Sequence, residues 1–78
     1  MKKIIELFGW YGVIAIVLAY ALVSFSILKS TDLAYQLLNI TGAMGIIVDS
    51  FYKRDYQPVI LNIIWMLIAL AVILKILF

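Results

Sequence analysis

The sequence contains no cysteine and no histidine among its 78 residues. Without cysteine there are no disulfides, no thiolate metal sites and no cysteine nucleophiles. Without histidine the chain lacks the commonest acid–base group and the commonest metal ligand. The net charge is only +2 and the basic residues form no run, so no footprint for nucleic acid is present. Motifs for phosphate or nucleotide binding are missing as well. We therefore expect no enzyme activity, no cofactor and no metal site.

Charge is also scarce, since 13% of the residues are charged while 68% are hydrophobic, and the mean hydropathy is +1.22. A soluble domain has roughly half its residues apolar and about a quarter charged. A soluble chain of this length buries only about 60% of its unfolded surface, which is too little to hide so much apolar side chain. The composition indicates an integral membrane protein whose main neighbours are lipids.

Three long apolar segments fill the chain, separated by two short polar turns. The segments predict helices over about 7–28, 33–52 and 57–76, and about 20 apolar residues suffice to cross the hydrocarbon core as a helix. Pro58 suits the first turn of the third helix, where a missing N–H breaks no bond. Because the turns are short, neighbouring helices must be antiparallel. The sequence therefore predicts an all-α bundle of three transmembrane helices, a single domain over residues 1–78.

The basic residues predict the orientation of this bundle, because cytoplasmic loops carry an excess of Lys and Arg. The side of the N-terminus and the second turn carries Lys2, Lys3, Lys53 and Arg54. The opposite side carries Lys29 and Lys75. This bias predicts a cytoplasmic N-terminus. Cleavage of the first segment as a signal peptide at Ala19-Tyr20-Ala21 is the alternative, although the apolar run continues past that site.

Polar and aromatic residues mark one face of each predicted helix. An amide left unmatched in hydrocarbon costs several kcal/mol, so Asn39 and Asn62 must face protein, water or a solute. The register of the helices places these two amides at different depths of the membrane. Trp65 would lie near the membrane centre, away from the interface that Trp prefers, and either fills the core or stacks on a solute. We take Asn62, Asn39, Trp65 and Tyr35 as candidate substrate-binding residues, with helix packing as the alternative.

Small residues and one acid complete these faces. Gly42, Gly45 and Pro58 are candidates for close helix packing or for a hinge. Asp49 is the only acid well inside the apolar pattern, and intramembrane acids are functional candidates by default. It also lies one turn before Lys53, a favourable spacing for an ion pair. Coupling to a proton or cation at Asp49 and a simple interfacial ion pair both remain open.

Several short runs resemble a family of small, uncharacterised bacterial membrane proteins built from three helices. They are Leu18–Ser24, Tyr35–Asn39, Gly42–Gly45, Pro58, Leu61-Asn62, Trp65 and Ile68-Ala69.

A more distant resemblance is to the SemiSWEET transporters of the PQ-loop (MtN3/saliva) group. The shared features are the length, the three spans, the short turns and a proline shortly before an asparagine in the third helix. This resemblance implies a dimer that encloses a sugar pathway, with Asn62 corresponding to the pocket asparagine of that group. The chain departs from the group in lacking a Pro-Gln pair late in the first helix and a tryptophan in the second.

From these patterns we expect a homodimer in the bacterial inner membrane that carries a small neutral, sugar-like solute by facilitated diffusion. The alternative is a non-catalytic structural or accessory subunit, which would pack the same faces against other membrane proteins.

Overall fold

The computed structural model of the chain describes residues 2–78 and contains three α-helices in that part of it. Helix α1 covers Lys2–Ser24, α2 covers Leu33–Tyr52 and α3 covers Tyr56–Leu77. The predicted bounds of α2 agree with the structure, and those of α3 differ by one residue at each end. The first helix is displaced, because it begins at Lys2 rather than at residue 7 and ends at Ser24 rather than at residue 28.

Helix α1 ends early because a Schellman motif closes its C-terminus. Ser26 has a left-handed backbone conformation with φ 62°. Its N–H donates to the Val23 carbonyl at 3.0 Å, and the N–H of Ile27 donates to the Leu22 carbonyl at 2.9 Å. These bonds satisfy carbonyls that a helix end otherwise leaves unpaired. Residues 25–28 therefore belong to the first loop, although they are as apolar as the helix before them.

The same motif closes α2 and turns the chain into α3. Arg54 has φ 59°. Its N–H donates to the Phe51 carbonyl at 3.1 Å, and the N–H of Asp55 donates to the Ser50 carbonyl at 2.9 Å. The rings of Phe51 and Tyr56 then pack edge to face with centroids 6.1 Å apart. The resulting loop has only three residues, 53–55, and forces α3 to run antiparallel to α2.

Helix α2 lies between the other two helices. It packs against both α1 and α3, whereas within residues 2–78 no Cα atom of α1 lies within 8 Å of one of α3. Six residues of α2 are buried, compared with four of α1 and three of α3. The bundle is therefore open on the side where α1 and α3 would have to meet.

The contact between α1 and α2 is made by all four glycines of the sequence, Gly9, Gly12, Gly42 and Gly45. A Cβ atom on Gly12 would overlap the Gly42 carbonyl oxygen, and one on Gly45 would overlap the Phe8 carbonyl oxygen. The backbones of the two helices therefore touch, as small residues permit in membrane bundles. Gly42 and Gly45 serve packing at this contact.

Most of the apolar surface faces outward. Helices α1 and α3 are each long and apolar enough to cross a membrane, yet only 22% and 17% of their most apolar windows are buried inside the protein. Helix α2 has 20 residues and is not apolar enough to meet the same criterion. The sequence-based prediction of three apolar spans thus holds for two helices, and the central helix is more polar than the prediction assumed.

The left-handed residue of the first loop generates a stability prediction. We expect Ser26→Gly to stabilise the protein by about 0.5–1 kcal/mol, because glycine adopts positive φ without the steric cost paid by serine. The matched control is Ser24→Gly in the last turn of α1, which should destabilise by about 0.5 kcal/mol through lower helix propensity. Unfolding in detergent micelles by titration with sodium dodecyl sulfate measures both. Equal effects of the two variants would contradict the assignment of the helix end.

The glycine contact generates a second prediction, for Gly12→Ala. Alanine raises helix propensity by about 1 kcal/mol over glycine, but overpacking a tight contact costs about 1–3 kcal/mol. Because the obstacle is the Gly42 backbone rather than a flexible side chain, we expect a net loss of stability in the same titration. Val17→Ile, which adds one methylene at an exposed position, should have no effect.

Candidate functional site

A groove with three cavities runs along the open side of the bundle. The loop-2 cavity, of about 480 Å³, lies between the start of α1 and the end of α2 and includes Asp49 and Lys53. The middle cavity, of about 180 Å³, includes residues from all three helices, among them Asn62. The loop-1 cavity, of about 440 Å³, lies between α2 and α3 beneath the first loop and includes Asn39.

Neighbouring cavities share a lining residue, which places them in one row. Ile46 borders both the loop-2 cavity and the middle cavity, and Trp65 borders both the middle cavity and the loop-1 cavity. On α2 the lining residues Tyr35, Asn39, Ile46 and Lys53 follow at intervals of four, seven and seven, so they fall on one helix face. The groove therefore follows α2 from one end to the other, with Ile46 and Trp65 at the boundaries between its cavities.

Three of the four predicted binding residues meet in the loop-1 cavity. Tyr35 and Asn39 come from α2 and Trp65 from α3. Trp65 is 43% exposed, so it does not simply fill the protein core. The remaining lining residues are Ser30, Thr31, Gln36, Ile68 and Val72. None of these side chains is charged.

The Asn39 side chain is only 6% exposed, and its amide has no hydrogen-bond partner within residues 2–78. Within residues 2–78, fully buried side-chain atoms without a partner occur at Gln36 and Asp49 but not at Asn39, so the Asn39 amide keeps some surface open to the cavity. The geometry therefore leaves Asn39 free to bond something that enters the cavity.

Gln36 is a member of this cavity that the sequence analysis did not select. It is 4% exposed, its Nε2 donates to the Ser30 carbonyl, and its Oε1 is buried without a partner. The signal that singled out Asn39, an amide within an apolar run, was equally present at Gln36.

The bond to Ser30 ties the first loop to α2, and a second bond, from the Lys29 N–H to Oδ2 of Asp32 at 2.9 Å, stabilises the loop.

Asn62 lies apart from Asn39, in the middle cavity, as their different depths in the sequence register predict. It is also 6% exposed, but its Nδ2 donates to the Pro58 carbonyl at 2.8 Å. Pro58 lies in the first turn of α3, where its missing N–H breaks no helical hydrogen bond. One end of the Asn62 amide is thus satisfied within its own helix.

The loop-2 cavity carries the charged groups of the groove. Asp49 and Lys53 form an ion pair with Oδ2 and Nζ 3.1 Å apart, at the spacing that the sequence analysis identified. A Cβ atom on Gly9 would lie 2.5 Å from the same Oδ2, so the carboxylate also packs against α1. Glu6 lines this cavity as well, but within residues 2–78 no three acidic side chains converge to hold a metal ion.

A protein-family model matches residues 5–78, nearly the whole chain. The chain belongs to this family, which comprises small uncharacterised bacterial proteins. No curated protein matches the chain at a significant level, and no solved structure does. The family therefore accounts for the resemblance in residue pattern, and the chemistry of this member has to be inferred from its own groove.

The unpaired state of Asn39 generates a prediction that separates binding from packing. We expect Asn39→Leu to leave stability unchanged or to raise it by about 1 kcal/mol, because leucine of similar size removes a polar group that has no partner. Asn62→Leu removes an existing bond and should be less favourable. Unfolding by dodecyl sulfate titration measures both. A loss of more than about 1 kcal/mol for Asn39→Leu would mean that its amide stabilises the fold.

Proposed function

We propose that this protein is a carrier that moves a small neutral, sugar-like solute across the bacterial inner membrane by facilitated diffusion. In this proposal all three helices span the membrane, the N-terminus is cytoplasmic, and two protomers face each other across their grooves. The observation that carries the proposal is the row of three cavities, which follows α2 over its whole length and is lined by Asn39 and Asn62.

Membrane insertion is supported by where the apolar surface lies. The core helices of a soluble protein are mostly buried, whereas here about four fifths of the most apolar windows of α1 and α3 face outward. The protein is 36 Å along its longest axis, which is comparable to a hydrocarbon core of about 30 Å with its interfaces. Helix α2 is less apolar because both neighbours shield it from lipid.

A homodimer is supported by the open side of the groove. A groove facing acyl chains would leave the Asn39 amide without a partner, at a cost of several kcal/mol. A second protomer turned to face it would close the groove and keep its interior wet. The groove walls offer apolar contact surface for this purpose, including Trp10 and Val13 on α1.

A neutral solute and a passive mechanism are supported by the distribution of charge. The middle cavity and the loop-1 cavity contain no charged side chain, so an ion would find no counter-charge there. Asp49, the only acid well inside the apolar pattern of the sequence, already forms an ion pair with Lys53. We therefore propose hydrogen bonding by Asn39 and Asn62, with ring contacts from Trp65 and Tyr35, and assign no coupling role to Asp49.

Because the chain has no cysteine, single cysteines can report whether the groove is wet. We expect Leu61→Cys and Ile68→Cys, which line the groove, to react with a charged, membrane-impermeant thiol reagent in reconstituted vesicles. Leu67→Cys is exposed but lines none of the groove cavities, and in lipid it should stay unreactive. Equal, low reactivity at all three positions, or purification with a fixed partner protein, would favour the alternative of a structural or accessory subunit.

Transport itself is tested by osmotic swelling of proteoliposomes in a gradient of a neutral polyol such as xylitol. We expect Asn62→Ala and Asn39→Leu to slow the protein-dependent swelling about tenfold, the effect of losing about 1.4 kcal/mol of binding in the pathway. Gln57→Ala removes an exposed amide in the first turn of α3 and should leave the rate unchanged. A wild-type rate in Asn62→Ala would show that this asparagine does not contact the solute.

A further inference from the structure

Gln36 holds a fixed orientation in the wall of the loop-1 cavity. Its side-chain amide is bonded to the carbonyl oxygen of Ser30. A carbonyl can only accept a hydrogen bond, so the nitrogen of the amide must face Ser30. The oxygen, Oε1, is thereby left as a buried acceptor without a partner in residues 2–78.

This acceptor lies beside a second unsatisfied amide. Asn39 lies three residues further along α2, lines the same cavity and has no partner within the described chain. Residues three apart on a helix are neighbours on its surface. The α2 wall of the cavity therefore contains an acceptor, Oε1 of Gln36, that still needs a hydrogen-bond donor.

The rest of the cavity fits a neutral molecule rather than an ion. Its other polar groups are the hydroxyls of Ser30, Thr31 and Tyr35 and the indole N–H of Trp65, and its apolar wall consists of Ile68 and Val72. An anion would place its charge near the unpaired Oε1, and a cation would find no carboxylate. A neutral molecule that carries hydroxyl or amide N–H groups satisfies Gln36 at no such cost.

We propose that Gln36 is a specificity-determining residue of the loop-1 cavity, which accepts a hydrogen bond from the solute through Oε1 and so selects neutral solutes that present a hydroxyl or amide N–H donor. Related solutes whose donors are blocked by methylation, and which only accept hydrogen bonds, are discriminated against. This inference rests on the proposed carrier function and adds to it the chemical class of the solute.

The experiment is a binding titration of the full chain in lipid nanodiscs with matched probe pairs. One pair is xylitol and its pentamethyl ether, and the other is acetamide and N,N-dimethylacetamide; within each pair only the first carries donors. Trp65 lines the cavity and the sequence has one other tryptophan, Trp10. A Trp10→Phe background therefore leaves Trp65 as the only fluorescent tryptophan.

We expect the donor-bearing member of each pair to bind about tenfold more tightly than its methylated counterpart, which corresponds to one hydrogen bond to a buried acceptor. Gln36→Leu, of similar size, should abolish the preference within each pair. Gln36→Glu retains an acceptor but loses the donor to Ser30, and it should keep the preference. Gln57→Leu, the same change at an exposed glutamine in the first turn of α3, should behave as the parent protein.

Two results within the variant series would overturn the inference. One is an undiminished preference in Gln36→Leu, and the other is an equal loss in Gln36→Leu and Gln36→Glu, which would assign the effect to the bond with Ser30. Absence of binding by both donor-bearing probes also overturns it. The carrier proposal is judged separately by thiol labelling of the groove, so a wet groove combined with any of these results would reject only the role of Gln36.

Discussion

The backbone contact between α1 and α2 is the constraint on which the rest of the structure depends. Glycines on both helices bring the chains so close that single carbonyl oxygens occupy the space where Cβ atoms would lie. In lipid the hydrophobic effect does not hold helices together, and close packing of small residues takes its place. This contact fixes the rotation of α2, and with it the direction in which the face of Asn39, Ile46 and Lys53 points.

Helix α3 packs on α2 without approaching α1, and this arrangement creates the groove. A closed three-helix bundle of this size would have buried the polar face of α2 in a dry core, where Asn39 and Gln36 would need partners from the protein. The open arrangement leaves both amides beside a cavity. The structure therefore accepts a buried acceptor without a partner at Gln36, a cost that a packing role alone does not explain.

The polar groups change in character along the groove, from charged side chains at the loop-2 end to neutral amides at the loop-1 end. The loop-2 end has the ion pair of Asp49 and Lys53, and Oδ1 of Asp49 is buried without a partner within residues 2–78. The middle has one partly satisfied amide at Asn62, and the loop-1 end has the amides of Asn39 and Gln36. Ile46 and Trp65 lie at the boundaries between these regions. For the proposed carrier, charged groups at the loop-2 end and neutral hydrogen-bonding groups in the middle and at the loop-1 end would suit an uncharged polar molecule better than an ion.

The sequence by itself determined the secondary-structure elements of the protein. Apolar segments of membrane length and short polar turns gave the three antiparallel helices, and the turns around Asp32 and Asp55 located the start of α2 and α3. It also singled out Asn39 and Trp65, because amides and tryptophan in apolar runs require an explanation, and the structure places both with Tyr35 in the lining of the loop-1 cavity. The end of α1 was not predictable from hydropathy, since it depends on the left-handed backbone at Ser26. Only the tertiary structure decided which helices touch, because glycine spacing marks a close contact without naming its partner. That choice brought Trp65 of α3 to the cavity of Asn39 and placed Asn62 in a different cavity.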